Sequence, residues 1–234
     1  MSSEVLPNMG QAHKGELNQN PDKNPEMSGA LPGEGPLRID LYKVPSDTPL
    51  KVKLLRALWG LFQIPFWEHT PSALSPLRIS LLKLFGAEIG PACLIGPGVR
   101  VWVPWNLTMG ERSTIGANTE IQNFLPVIIG RHVVISQRNY ICTSTHDHTD
   151  PYFSMLSTPI TIGSQSWVAS ECVLGPGAEV GEGAVISVRS VVTKPMPPWM
   201  ICAGSPCRPL TERIMREMDE KQETGHRDQG SVEA

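Results

Sequence analysis

A six-residue period constrains this chain more than any other feature. From Ile89 onward an aliphatic residue recurs at every sixth position, in successive groups of three: Ile89, Ile95 and Val101; Met109, Ile115 and Ile121; Ile129, Ile135 and Ile141; Ile162, Val168 and Leu174; Val180, Ile186 and Val192. Glycine follows many of them, at 90, 96, 110, 116, 130, 163, 175 and 181. The fifth residue of most hexads is Ala, Ser, Thr, Cys or Val. A lone strand repeats every two residues and a helix every ~3.6, so neither produces a strict six with glycine at a fixed offset. A solenoid does. Each hexad predicts one short strand and one turn, and three hexads predict one triangular coil. The aliphatic residue points inward and stacks on its equivalent one coil along, and the glycine relieves crowding where the backbone turns. The expected architecture is an all-β solenoid, a parallel β-helix of about five coils spanning residues 87–205.

The interruptions carry as much information as the period. Leu107-Thr108 is inserted after the first coil, Val127-Ile128 after the second, and the segment from Asp147 to Thr161 after the third. With three hexads per coil, all three insertions fall at one vertex and stack along one edge. Trp105, Leu125 and Met196, which are large for a fifth position, lie in the third hexads of their coils, whereas Asn139 lies in a second hexad. One edge is therefore built differently, and long loops on a rigid scaffold are where function concentrates. His146 ends the third coil, in Ile141-Cys-Thr-Ser-Thr-His146-Asp147-His148, immediately before the longest insertion. An imidazole that titrates near neutrality can take the proton of a hydroxyl as its oxygen attacks a thioester. With both substrates bound together, no covalent enzyme intermediate is needed. A lone histidine in a polar loop is ordinarily a surface residue, but its place on the distinctive edge reverses that preference.

The flanks differ in character. Residues 1–36 are rich in Pro, Gly, Asn, Ser and Glu and read as a disordered tail. Residues 37–86 form a helical segment. One helix carries Val52, Leu54, Leu55, Leu58, Trp59 and Phe62, and another covers Leu77 to Phe85 with Gly86 as its C-cap. These helices read as a cap on the solenoid, with peripheral membrane contact through Trp59, Phe62, Phe66 and Trp67 as the sharper alternative. Residues 206–234 are expected to be partly helical and then disordered. A net charge of −3 argues against a nucleic-acid partner. Five cysteines without C-x-x-C spacing indicate buried reduced thiols rather than a zinc site or a disulfide framework. The polar N-terminus lacks the apolar region of a signal peptide, and the run Leu54 to Trp67 is interrupted and too short to span a bilayer. The expected location is cytoplasmic, with any membrane association at the surface.

The motifs Leu84-Phe-Gly-Ala-Glu-Ile-Gly90, Val101-Trp-Val-Pro-Trp-Asn-Leu107, Ile135-Ser-Gln137 and Cys142-Thr-Ser-Thr-His-Asp147 occur in order along the chain. They are followed by Pro159-Ile-Thr-Ile-Gly163, Trp167-Val-Ala169, Ser190-Val-Val-Thr-Lys194 and Ala203-Gly-Ser-Pro206. From Leu81 to Leu210 the chain thus resembles the hexapeptide-repeat acetyltransferases, and most closely their colanic acid biosynthesis (WcaF-like) branch. The resemblance implies a left-handed β-helix, a homotrimer, acetyl-CoA as co-substrate and no metal. It implies an acceptor hydroxyl on a sugar, a nucleotide-sugar or a lipid-linked glycan. His146 matches the family's catalytic histidine. Asn123 matches a polar position near the acceptor or thioester, with a role in satisfying turn backbone as the plain alternative. Asp147 and His148 are acceptor-side candidates, although neighbours on an extended segment point in opposite directions, so Asp147 is not assigned as a catalytic partner. Trp167, Ser170, Val188, Thr193, Lys194 and Arg208 match positions lining the CoA channel, the last two being basic where CoA carries phosphates.

Two features depart from the family pattern. His148 stands where close relatives carry Tyr, and Ser187-Val188-Arg189 replaces a common Gly-Ala-Arg. Two other classes use the same scaffold. A γ-carbonic-anhydrase-like metal enzyme would draw on His132, His146 and His148, whose spacing does not match that family. A non-catalytic scaffold would leave His146 and the basic C-terminal pair unexplained.

Overall fold

The computed structural model describes residue 39, residues 49–67 and residues 70–216. The tail expected over 1–36 and the final stretch from 217 lie outside the described residues.

Every hexad becomes a strand and a turn. The first coil comprises β1 (Glu88–Ile89), β2 (Leu94–Ile95) and β3 (Arg100–Val101), and the second β4 (Leu107–Met109), β5 (Thr114–Ile115) and β6 (Glu120–Gln122). The third comprises β7 (Val127–Ile129), β8 (Val134–Ile135) and β9 (Tyr140–Cys142). A hairpin of β10 (Ser144–His146) and β11 (Met155–Ser157) follows it. The fourth coil is β12 (Ile160–Ile162), β13 (Trp167–Val168) and β14 (Val173–Leu174), and the fifth is β15 (Glu179–Val180), β16 (Val185–Ile186) and β17 (Val191–Val192). Like strands stack in parallel. The first face is β1-β4-β7-β12-β15, the second runs β2-β5-β8-β13-β16, and the third is β3-β6-β9-β14-β17. The repeating aliphatic residues fill the interior, with Ile115, Ile121, Ile135, Ile141, Val168, Leu174, Ile186 and Val192 wholly buried.

The glycines after these residues are required by close approach. A Cβ on Gly90 would sit 2.6 Å from the amide nitrogen of Glu111 in the next coil. The fifth positions do more than fill small corners. Ser113 Oγ donates to the Gly130 carbonyl at 2.8 Å and accepts from the Val133 amide at 2.9 Å. Asn139 accepts from the Cys172 amide and donates to the Ser136 carbonyl. Hydroxyl and amide side chains thus satisfy backbone groups that the corners leave without ladder partners.

Both ends of the prism are covered. Helix α1 (Leu50–Trp67) inserts Trp59, whose indole donates to the Val101 carbonyl at 2.6 Å. Trp59 also packs on Phe85, with ring centroids 5.0 Å apart. Helix α2 (Ser75–Leu84) buries Arg78, whose guanidinium donates to the carbonyls of Ile95, Pro71 and Ser72 and to the Thr70 hydroxyl. Ser75 Oγ accepts from the Ile95 amide at 2.8 Å. The first edge strands of the second and third faces are therefore blocked by helix side chains, one of the ways sheets avoid edge-to-edge pairing. Gly86 follows α2 in the left-handed region at φ +94°, as its predicted cap role requires. α1 continues through Pro65, beyond Phe62, the last helical position named from the sequence.

The far end differs from expectation in two ways. Met196 bridges Val180 on the first face, and β18 (Met200–Gly204) stacks on β16, so a sixth coil is begun beyond the five complete ones. Met196 opens that coil and is not an oversized fifth position. The C-terminal extension, expected to be partly helical, begins with β19 (Cys207–Glu212), antiparallel to β18, and from residue 217 it lies outside the described residues. Among the described residues no helix is long and apolar enough to cross a membrane.

Candidate active site

All three insertions do stack at the vertex between the third and first faces. The two short ones, with the end of the long one, add an inward-facing row to the first face, where Leu107, Val127 and Ile160 align in register and are buried. The long one folds outward as the β10–β11 flap, with His146 opposite Met155.

His146 is exposed at the base of this flap, and its Nδ1 lies 2.6 Å from the Phe153 carbonyl oxygen. A carbonyl has no proton to give, so Nδ1 donates and Nε2 keeps its lone pair. The contact thereby favours the tautomer in which Nε2 can accept a proton. Phe153 itself occupies the left-handed region at φ +47°, costly for a residue with a Cβ. The flap is braced internally. The Asp147 amide donates to the Ser154 carbonyl, and the Asp150 carboxylate accepts from the Tyr152 and Ser154 amides. Asp147 Oδ1 accepts from the Thr149 hydroxyl and amide, which holds its carboxyl below the usual range. Asp147 is thus engaged in shaping the flap, whereas His148 stands exposed beside it.

Asn123 is wholly buried, unlike these. Its Oδ1 accepts from the Val103 amide at 2.9 Å and its Nδ2 donates to the Val103 carbonyl at 2.7 Å. It supports the turn of the preceding coil, the plain role the sequence also allowed it.

The CoA-channel candidates divide into two groups. Thr193 and Lys194 follow β17 at the vertex between the third and first faces, on the same edge as His146 two coils along, and both are exposed. Trp167 lies on the second face, its indole donating to Ser136 Oγ at 3.0 Å. Ser170 and Val188 occupy the same offset on successive coils at the second–third corner, and Arg208 is exposed on β19. Beside Val188, Arg189 pairs with Glu171 and holds that carboxyl below its usual range. Within one chain, then, the edge bearing His146, Thr193 and Lys194 faces away from the group around Trp167. His132 is a left-handed turn residue, φ +55°, at the first–second corner, apart from His146 and His148. Among the described residues no three His, Cys, Asp or Glu side chains converge as metal ligands would.

The Phe153 carbonyl was beyond the reach of sequence reasoning, because a backbone acceptor has no residue-type signature. The only signal was a loop of the length that lets a hairpin fold back on His146.

This geometry can be set beside known proteins. Over 160 aligned residues the chain is 38% identical to WcaF of Escherichia coli K12, a candidate colanic acid biosynthesis acetyltransferase, covering 68% of this chain and 88% of that protein. The chain belongs to the hexapeptide-repeat acetyltransferases. Galactoside O-acetyltransferase of Escherichia coli K12 is 31% identical over 149 residues, covering 62% of this chain and 73% of the relative. A solved galactoside acetyltransferase in complex with coenzyme A superposes with a TM-score of 0.65 at 28% identity, covering 77% of this chain and 92% of that one. A hexapeptide-repeat acetyltransferase of Vibrio cholerae shares the fold, with a TM-score of 0.65 at 20% identity over 72% of this chain and 96% of that one. No family model matches the chain. As a hexapeptide-repeat acetyltransferase the chain is an acyltransferase, and its coils wind left-handed as the resemblance implied.

Proposed function

We propose that this acyltransferase moves the acetyl group of acetyl-CoA onto a hydroxyl of a sugar or glycan intermediate, with His146 as general base. The observation that carries the role is the Nδ1–Phe153 contact, which leaves Nε2 free to accept a proton. The acceptor oxygen attacks the thioester carbonyl carbon as its proton passes to Nε2. Collapse of the tetrahedral intermediate breaks the C–S bond, and the imidazolium returns the proton to the departing CoA thiolate. Lys194 and Arg208 supply cations for the phosphates of CoA, and Trp167, Ser170, Val188 and Thr193 line the pantetheine path. His148 is the acceptor-side residue beside the base, with Asp147 shaping the flap that carries both.

The working unit is a homotrimer. A single prism keeps His146 on one edge and Trp167 on the face opposite it. A parallel neighbour brings the edge of one chain to the second face of the next and closes the cleft. That face carries an exposed apolar column, Leu94, Val134 and Trp167, suited to such contact. The enzyme works in the cytoplasm, which its five free, buried cysteines fit. α1 docks on the surface of an anionic bilayer. Leu50, Leu54, Leu58 and Leu61 form an exposed stripe on a helix that contains Lys51, Lys53 and Arg56 and no acid.

Thiol release from acetyl-CoA with a panel of sugars tests the chemistry. His146→Ala is expected to lower the acceptor-dependent rate by about 10²–10⁴-fold with the fold retained. A variant as fast as wild type would show that His146 is not the base.

A further inference from the structure

A cavity of about 420 Å³ lies between α1 and the first coil, lined by Lys53, Arg56, Gly60, Gln63 and Trp102 among others. Its Trp102 wall stands on the edge that carries His146. Trp102 leaves β3 toward that vertex, Phe124 occupies the equivalent turn one coil along, and the flap springs from the turn after that. Parallel strands are spaced ~4.8 Å apart, so two coils separate cavity from base by roughly 10 Å along the axis.

The lining is cationic and preorganised. The Arg56 guanidinium carbon lies 5.2 Å from the Phe124 ring centroid and 5.8 Å from that of Trp102, so the cation is held beside two aromatic rings. Among the described residues neither Arg56 nor Lys53 has a carboxylate partner. The acid near Trp102, Glu120, is already paired with Arg100 and accepts from the Trp102 indole and from Gln122. Gly60 is a separate sign. It sits in the interior of α1, where glycine costs about 1 kcal/mol relative to alanine, yet a Cβ there would meet nothing within 4 Å. Among the described residues no packing requires glycine at this position. The open volume it preserves belongs to the cavity.

We infer that this cavity binds the diphosphate of an acceptor in which the sugar is diphosphate-linked, presenting the sugar hydroxyl to His146 along the shared edge. This rests on the acetyl-transfer reading above and names its acceptor class. Guanidinium and ammonium donors suit a diphosphate, and the span of two coils suits one hexose ring between phosphate and base. A nucleotide and a lipid both supply sugar diphosphates. On α1 the cavity-facing residues Lys53, Arg56 and Gly60 lie between the buried Trp59 face and the exposed leucine stripe, which favours the lipid.

The test uses the full chain and each hexose of a panel in neutral methyl glycoside, nucleotide-diphosphate and short-chain polyprenyl-diphosphate forms. A diphosphate form is expected to be preferred by about tenfold or more in kcat/KM, expressed through KM, as loss of one charge-assisted contact implies. Arg56→Gln and Gly60→Leu should each erase that preference, whereas Lys83→Gln, an exposed cation outside the cavity, should preserve it. Preference for either diphosphate form supports the inference and identifies its source. Equal use of the neutral sugar, or a preference untouched by Arg56→Gln and Gly60→Leu, overturns it. Calorimetric binding of inorganic pyrophosphate, lost in Arg56→Gln, is read independently of turnover. Should wild type acetylate no sugar yet bind pyrophosphate at Arg56, the acetyl-transfer reading fails and the anion site stands; absent binding sinks the site itself.

Discussion

Asn123 and His146 stand on the same vertex one coil apart, both are polar, and they have opposite tasks. The Asn123 amide is enclosed and occupied by both backbone groups of Val103. Replacing it with alanine leaves a buried donor and acceptor without partners, so Asn123→Ala is expected to cost about 2 kcal/mol in chemical denaturation. Acceptor KM should stay at the wild-type value at temperatures where the variant remains folded. A raised KM without loss of stability would instead place the amide against the acceptor. His146 keeps one nitrogen for the protein and one for solvent. This difference could not be read from residue type. In sequence each is a polar residue near an insertion, and only the neighbouring coil decides which one is enclosed. The position of His146 was legible, because counting hexads places it at the start of the longest insertion. Its tautomer was not, since that depends on a carbonyl brought back by the flap.

At the scale of elements, the coils were legible because a narrow prism tolerates only an aliphatic residue inside and, at tight corners, only glycine against the next coil. Met196 escaped that logic. The last turn is shorter than the others, so the period places Met196 at a fifth position while the chain uses it to begin a new coil. The C-terminal strand escaped too, because an antiparallel return along a sheet edge carries no hexad period. α1 was legible as a helix, but its three faces were not separable in one dimension. Trp59 faces the prism, Lys53 and Arg56 face the cavity, and the leucines face outward. If that outward stripe meets a bilayer, the double substitution Leu54→Ser with Leu58→Ser should weaken flotation with phosphatidylglycerol vesicles by at least about tenfold, each leucine contributing about 2 kcal/mol when buried. The sugar-acetylation rate on a soluble acceptor should be unaffected. Equal flotation of variant and wild type would remove the membrane from the account.

For the whole molecule, the question is how the two halves of the proposed site would meet when the prism holds them apart. His146 lies on the edge between third and first faces, and Trp167 lies on the second face opposite. No bend within one coil brings them together, because every strand between them is locked into a parallel ladder above and below. The proposed homotrimer would solve this with a single repeated heterologous contact, the closed arrangement that such contacts favour. The consequence can be measured with two inactive chains. His146→Ala lacks the base but keeps an intact second face, and Trp167→Ala has the reverse defect. If each site takes its edge from one chain and its face from the next, random mixing makes a competent pair at about a quarter of the sites, since each of two adjacent chains must be the right one. Co-expression should therefore restore about a quarter of wild-type activity, read as thiol release, although neither variant alone is active. If every site were contained in one chain, the mixture would remain as inactive as its parts.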